Sequence, residues 1–312
     1  MIKKKTEGLK IALPNGSLEE GTMRLFEEAN LKIKKDLRKH DAFVDGPLIL
    51  RVTFMRPQHI PALVERGVYD VGICGSDCIE ESETDVVLVA ELPYGRGASS
   101  GAAKVVLVTS IENPVEAIEQ VEPESVVLSE YPNITKRAFA RHSSVDIRFS
   151  YGGTEAHIPG DYRYGVCLTD TGASLTANGL KVVAELCATC TVLIANMGAH
   201  HTHRELVTGE DEIYNGPKLS EIMTLKNLLT GTLEARGRVF LVMNVSAEKK
   251  NGLLRVLPAL KTPTITSLSG GSYFSVGAAV RMTELNQLIP RLFECGAEDL
   301  IQMPVSKVIT SW

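Results

Sequence analysis

The stretch LILRVTFMRPQHIPALVERGVYDVGICG, residues 48–75, decides the fold class. Its β-rich beginning, 48–54, and its apolar end, 69–75, predict two buried strands, and residues 56–67 between them have the apolar spacing of a helix. Because strand, helix and strand follow one another, a parallel α/β layer is expected. The alternation starts upstream, where 10–16 predicts a strand and 17–31 a helix that Ser17 and Glu20 would cap.

The pattern changes beyond about residue 232. Strand, helix, two strands, helix and strand are predicted in about 75 residues, which is the order of a ferredoxin-like unit. We expect residues 232–312 to form a separate domain, and residues 219–236 to form the helix that leads into it.

Composition excludes several classes of protein. The 312 residues carry a net charge of -5, so the chain as a whole has no positive field for nucleic acid or an anionic membrane. No apolar run is long enough to span a bilayer, and the first residues lack a signal-peptide core. The six cysteines show no disulfide framework. A cytoplasmic protein is therefore predicted.

The stretch LTDTGASLTANGL, residues 168–180, follows a predicted strand and opens a predicted helix. A hydroxyl-rich, glycine-containing turn at a helix N-terminus directs free N–H groups at one point, where the helix dipole favours an anion such as a phosphate. Ser, Thr and Asp are equally typical of a simple helix cap. The pattern alone leaves both interpretations open.

Other turns offer further candidates. Gly75 would let a ligand approach the backbone, and Asp77 would accept from a hydroxyl or cap the next helix. Tyr94 and Tyr131 lie in turns where a ring can stack on a purine or simply pack at an edge. Arg56, between strand and helix, suits a diphosphate, although a surface arginine without a ligand is the alternative.

Two motifs are interpreted as structural. The pair Cys187 and Cys190 has metal or redox spacing but lies in an apolar run without a second pair, so a core position is expected. The cluster of His200, His201 and His203 lies in a polar loop without a carboxylate pattern, so solvated histidines are expected.

Taken together, these turns resemble the long form of the ATP phosphoribosyltransferases, the family that opens histidine biosynthesis. The resemblance covers nearly the whole chain, and its ordered pieces include IALPNGSLEEGTMRLF, MRPQHIPALVERGVYDVGICGSD, LPYGRG, EYPNITKRAF, SYGGTEA, TDTGASLTANGL, NVSAEKKNGLLRVLPALKTPTITSLS and ECGAEDLI.

The resemblance implies an α/β fold with a two-lobed catalytic part similar to type II periplasmic binding proteins, and a C-terminal ferredoxin-like, ACT-like regulatory domain that binds histidine. Residues 1–97 would form lobe I, completed by about 188–231, residues 98–187 lobe II, and 232–312 the regulatory domain. The implied reaction joins ATP and 5-phosphoribosyl 1-diphosphate (PRPP), with Mg²⁺, into N1-(5-phosphoribosyl)-ATP and diphosphate. The implied assembly is a homo-oligomer, a dimer or hexamer.

The resemblance also assigns residues. Arg56 would face the diphosphate as the catalytic cation. The PRPP site would comprise Asp170, Thr171, Gly172, Ala173, Ser174, Leu175 and Glu155; the ATP site would comprise Gly75, Asp77, Tyr94 and Tyr131; and the histidine site would comprise Ser246, Leu260 and Thr264.

The strand before the phosphate turn departs from the family. Arg163 and Cys167 stand where the family usually carries carboxylates, which puts contacts to the ribose hydroxyls or Mg²⁺ in doubt. The alternative function is therefore a non-catalytic, two-lobed ligand-binding relative that has lost turnover.

Overall fold

The computed structural model describes residues 8–35, 41–95, 103–142, 144–205, 211–260 and 262–309. The chain divides into two compact units, Met1–Lys226 and Asn227–Trp312. This division falls inside one long helix, a few residues before the expected boundary at 232. None of the described helices is long and apolar enough to cross a membrane.

The described part of the first unit contains fourteen strands. They are β1 (Leu9–Pro14), β2 (Ile33–Lys35), β3 (Asp41–Val44), β4 (Ile49–Met55), β5 (Val71–Gly75), β6 (Val87–Glu91), β7 (Ala103–Ser110), β8 (Val126–Ser129), β9 (Asp146–Phe149), β10 (Tyr164–Thr169), β11 (Leu180–Thr189), β12 (Thr191–Ala195), β13 (His201–Glu205) and β14 (Asp211–Asn215).

Seven helices belong wholly or partly to the same unit. They are α1 (Glu19–Glu28), α2 (Ile60–Glu65), α3 (Ser76–Ser82), α4 (Pro132–Phe139), α5 (Ala173–Ala177), α6 (Met197–His200) and α7 (Leu219–Ala235), the last of which continues into the second unit.

Two mixed sheets form the lobes of the first unit. Lobe I has the strand order β2-β3-β4-β1-β5-β12-β6, in which β1 runs parallel to β4 and β5. Its central strands β5 and β12 are buried along their whole length, as expected for strands covered on both faces. Lobe II has the order β11-β7-β10-β8-β9, with β8 parallel to β10. The chain crosses back to lobe I at Cys190, between β11 and β12.

The predicted cap of the first helix is wrong. A 3-10 turn at Gly16–Leu18 precedes α1, so the helix begins two residues after Ser17, and Leu18 is its N-cap without a side-chain hydrogen bond. Because the turn shifts the register, Ser17 is released from capping and instead lines a cavity.

The second unit contains β15 (Arg238–Ser246), α8 (Lys250–Val256), β16 (Thr264–Ser267), β17 (Tyr273–Arg281), α9 (Leu285–Glu294) and β18 (Ala297–Pro304). The strand order β16-β17-β15-β18 with antiparallel pairs confirms the predicted ferredoxin-like unit. Alternate residues of β15, from Val239 to Val245, pack with Leu253, Leu288 and Leu292 into one core.

Candidate active site

A cavity of about 110 Å³ lies between the lobes of the first unit. Lobe I contributes Ser17, Pro57, Gln58, Gly75 and Asp77, and lobe II contributes Ala103, Tyr131, Leu168 and Thr189. The volume is below the roughly 300–1,000 Å³ of pockets that enclose a whole ligand. The cavity therefore suits one part of a nucleotide, such as its base.

Asp77 is the buried centre of this cavity wall. Its carboxylate accepts a hydrogen bond from the Thr189 hydroxyl at 2.5 Å, and the backbone N–H of Asp77 donates to the Thr189 hydroxyl oxygen at 3.1 Å. Tyr131 lines the same cavity from lobe II, and burial, followed by the Asp77 charge, raises the pKa of Tyr131 far above its ordinary value. Tyr131 is thus a neutral hydroxyl in the lobe II wall of the cavity.

Gly75 is required by the same arrangement. A Cβ at this position would lie 2.0 Å from the Asp77 carboxylate, which folds back over the end of β5. Asp77 makes no side-chain cap bond to α3, so its predicted capping alternative is wrong, and its carboxylate instead faces the other lobe.

Tyr94 does not line the cavity, although its carbonyl accepts the hydroxyl of Thr191, which does. Its side chain is 3% exposed, packs on Gly21 of α1, and shares a 2.7 Å hydrogen bond with the Thr22 hydroxyl. The structure gives Tyr94 a packing position and does not bring it to Gly75, Asp77 and Tyr131.

We therefore expect Tyr94→Phe to destabilise the protein by about 1 kcal/mol, because the buried Thr22 hydroxyl loses one of its two hydrogen bonds and keeps only the one to the Leu18 carbonyl. The KM for ATP should stay at the wild-type value. Urea unfolding and initial rates test this, and a large rise in KM without loss of stability would return Tyr94 to the ATP site.

The turn Asp170–Leu175 leads into α5, and within it the Ala173 N–H donates to the Thr171 hydroxyl at 3.4 Å. Gly172 has a φ of +74°, and nothing lies within 4 Å of the position of its missing Cβ. Leu175 anchors the turn in the core, whereas the Ala173 and Ser174 side chains are exposed. The Ser174 hydroxyl donates to Glu155 at 3.2 Å, which brings these two predicted residues together.

Charge distinguishes this turn from two neighbouring helix starts. Asp77 lies in the first turn of α3, and the first N–H groups of α4 donate to the Glu81 carboxylate. The first turn of α5 carries no acidic residue. Since carboxylates repel an incoming phosphate, the start of α5 suits a phosphate better than the starts of α3 and α4, although Glu155 accepts the Ser174 hydroxyl there.

Arg163 is too far from the turn to affect it. It precedes β10, six residues before the strand's end, which corresponds to about 20 Å. Its guanidinium pairs with Glu122 at 2.9 Å and lies over the Tyr164 ring. The replacement of a carboxylate by Arg163 therefore does not alter the turn, because the two are too far apart.

Cys167 lies directly beneath the turn. It is 1% exposed and packs with Ile158, Leu175 and Leu180. Burial, followed by the charges of Glu155 and Glu130, raises the pKa of its thiol to about 12, so it is neutral at physiological pH. Cys167 supplies packing where the family usually has a charge.

Glu130 is a carboxylate beside this turn that the sequence analysis did not select. It follows β8, whose neighbour β10 runs parallel, so Glu130 and Asp170 leave the sheet at the same edge. Its side chain accepts the Thr154 hydroxyl at 3.0 Å, and burial raises its pKa, with Glu155 adding to the rise. No lysine, arginine or histidine that the structure describes forms an ion pair with Glu130 or Glu155. The parallel pairing of the two strands was the signal that could have identified it.

We expect Glu130→Gln to stabilise the fold at neutral pH. A carboxyl whose pKa is higher in the folded than in the unfolded state destabilises the fold. This destabilisation is complete above the folded-state pKa and disappears as pH falls toward the ordinary value of 4.5. The gain measured by urea unfolding should therefore shrink on acidification.

Glu122→Gln is the opposite control, because the Tyr164 hydroxyl lowers the pKa of Glu122. It should lose stability at neutral pH, and a loss in both variants would contradict the assigned environment of Glu130.

Arg56 lies next to the cavity without an ion pair to any residue that the structure describes. It follows β4 and is the N-cap of a 3-10 turn at Pro57–His59, and its side chain is exposed. Since Pro57 and Gln58 line the cavity, the guanidinium is within reach of the cleft mouth.

The predicted histidine-site residues do not meet within one chain. Ser246 and Thr264 share the sheet face opposite the helices, but Thr264 is level with Val242. Four residues of strand, about 13 Å, separate that level from Ser246. Leu260 is 46% exposed in the preceding connection.

Two motifs remain, the cysteine pair and the histidine cluster. Cys187 and Cys190 are free, half-buried thiols at the crossing between the lobes. The described residues hold no group of three potential metal ligands. The side chains of His200, His201 and His203 lie outside those that the structure describes.

Fold and site define a class: a two-lobed α/β protein with a cavity between its lobes and a glycine-containing turn at the start of a lobe II helix, followed by a ferredoxin-like domain. The family model described as ATP phosphoribosyltransferase matches residues 56–228, and the model described as HisG, C-terminal domain, matches 235–307.

Full-length relatives agree with the family models. The ATP phosphoribosyltransferase of Pelotomaculum thermopropionicum is 34% identical over 304 residues, 96% of this chain and 99% of the relative. ATP phosphoribosyltransferase 1 of Geobacter sulfurreducens is 34% identical over 308 residues, with the same two coverages. The chain therefore belongs to the ATP phosphoribosyltransferase family.

A solved structure supports the fold. The ATP phosphoribosyl transferase (HisG:HisZ) complex from Thermotoga maritima matches with a TM-score of 0.58 and 22% identity, covering 72% of this chain and 98% of that one. With the C-terminal family match and the two mixed sheets, it confirms the predicted fold class.

Proposed function

We propose that this chain transfers the 5-phosphoribosyl group of PRPP to N1 of ATP, releasing diphosphate, as the first step of histidine biosynthesis. The observation that carries the proposal is the turn Asp170–Leu175, which leads into α5 beyond Leu168 of the cavity lining, within a chain that matches the family along its length.

Geometry suggests how the reaction is assisted. Adenine N1 is a weak neutral nucleophile, so most of the rate must come from holding it against C1 of the ribose. The N1–C1 bond forms while the C1–O bond breaks, and the electron pair leaves with the diphosphate. Binding the 5-phosphate at the α5 turn and the base at the Asp77 and Tyr131 wall would fix both partners.

Arg56 is the proposed catalytic cation. Its exposed, unpaired guanidinium at the cavity edge would bind the departing diphosphate through two parallel N–H bonds. No covalent intermediate with the protein is required.

Mg²⁺ is the proposed metal. Magnesium is usually held by one or two carboxylates together with substrate phosphates. The two carboxylates of Glu130 and Glu155 beside the α5 turn fit that donor set. The described residues offer no larger group of carboxylates that could hold the ion. The ion would supply charge neutralisation for the diphosphate.

The second unit is the proposed histidine sensor, through Ser246, Leu260 and Thr264, in a cytoplasmic homo-oligomer built as a dimer or hexamer. Because these residues are spread over one sheet face, a second copy of the chain would have to complete the site.

Full-length Leu260→Asp tests the sensor. Leu260 is exposed, so the fold and turnover should be kept while inhibition by histidine is lost. Met282→Asp, at another exposed position of the same unit, is the control. Retained inhibition in Leu260→Asp would refute the assignment.

One observation favours a second candidate. The neutral, buried Cys167 removes a charge from beneath the phosphate turn, as expected of a non-catalytic ligand-binding relative. Diphosphate release that requires ATP, PRPP and Mg²⁺ together supports the transferase, whereas binding of both substrates without release supports the relative.

A further inference from the structure

Two short helices, one from each lobe, are joined by a polar clasp beside the cavity. The Glu81 carboxylate near the end of α3 accepts the backbone N–H groups of Asn133 at 2.9 Å and Ile134 at 3.0 Å. The Asn133 side-chain amide donates to the Glu81 carbonyl at 2.8 Å. One turn further along α4, Arg137 donates to the Glu83 carboxylate at 2.7 Å and to the Glu80 carbonyl at 3.0 Å.

The Glu81 contact is the specific part of this clasp. The first N–H groups of a helix have no partner inside it, and a carboxylate there gains both hydrogen bonds and a favourable helix dipole. Glu81 meets two of these groups on α4 with its two oxygens. It thereby fixes both the distance and the angle of a lobe II helix against lobe I.

Both helices begin at the cavity. Asp77 lies in the first turn of α3, and Tyr131 is the N-cap of α4. The two side chains line the cavity, one from each lobe. One helical turn beyond Asp77, Glu81 holds the residues that follow Tyr131. The clasp therefore sets the separation of the two cavity walls.

We propose that Glu81 is a positioning residue for ATP: by capping α4 from the opposite lobe, it holds Tyr131 against Asp77 in the geometry that receives the base. The proposal rests on the proposed function, since it takes ATP as the occupant of the cavity. The α5 turn lies outside the clasp, so PRPP binding does not depend on it directly.

The test compares Glu81→Ala with Glu65→Ala. The Glu65 carboxylate accepts the same kind of bond, donated by the Asp85 N–H at 2.7 Å, but within lobe I. ATP binding is measured by calorimetry, and KM is determined for both substrates. Loss of a preorganised wall should weaken ATP binding about tenfold in Glu81→Ala. The KM for PRPP, and both constants in Glu65→Ala, should stay near wild type.

Glu81→Gln, which keeps one acceptor oxygen, should fall between wild type and alanine and serves if Glu81→Ala fails to fold. Unchanged ATP binding, an equal loss for both substrates, or the same loss in Glu65→Ala would each overturn the positioning role. A wild-type protein that binds ATP without forming product would refute the proposed function. The positioning role would still be tested in that case, because calorimetry compares ATP binding by Glu81→Ala and Glu65→Ala without turnover.

Discussion

Replacing Arg56 with alanine is expected to lower turnover by roughly 10²–10³-fold, the usual effect of removing one group that stabilises developing charge. The diphosphate gains charge only as the C1–O bond breaks, so the guanidinium acts mainly in the transition state. ATP binding, which we propose to rest on Gly75, Asp77 and Tyr131, should change little. Steady-state rates and calorimetry with ATP measure the two effects separately.

Arg66→Ala is the matched control, because Arg66 lies at the other end of the helix that follows Arg56 and is also exposed. Its turnover should equal that of the wild type. An equal loss of turnover and ATP binding in Arg56→Ala would count against the catalytic role.

Gly172→Val is expected to raise the KM for PRPP by about 10- to 100-fold. A β-branched residue at a φ of +74° is strained by about 1–3 kcal/mol. Relief of that strain would rotate the turn and scatter the N–H groups that converge on the 5-phosphate. The side chain itself has open space, so the effect isolates the backbone.

Gly179→Val provides the same strain at the other end of α5, where φ is +66° and the space is also open. Both variants should lose similar stability, but only Gly172→Val should lose PRPP affinity. Equal KM values for PRPP in the two variants would remove the turn from the site.

Much of the architecture could be predicted because it follows from local patterns. Apolar runs predict the buried strands at 9–14 and 71–75. Apolar runs together with helical spacing predict the ferredoxin-like order after 232. The start of α1 was mispredicted because Ser17 and Glu20 satisfy a capping box locally, whereas Ser17 lies inside a 3-10 turn that precedes the helix.

The site was predictable where a motif lies within one turn. The residues 170–175 form one such motif, and Gly75 with Asp77 forms another. Glu130 and Glu81 escaped notice because their importance arises from pairing between distant elements, β8 with β10 and α3 with α4. Tyr94 illustrates the converse, because a suggestive turn residue is a buried partner of Thr22.

The Cys167 question has a physical answer at the level of the fold. Residue 167 is a packing position beneath the turn, and carboxylates remain beside it through Glu130 and Glu155. The central claim is that this arrangement sustains turnover.

The most direct test is to incubate the purified full-length chain with ATP, PRPP and Mg²⁺ and to follow the absorbance of the N1-substituted adenine product together with released diphosphate. The account predicts that both appear in equal amounts, and that omission of any one component abolishes them. Absence of product at micromolar enzyme, with both substrates bound, would contradict it.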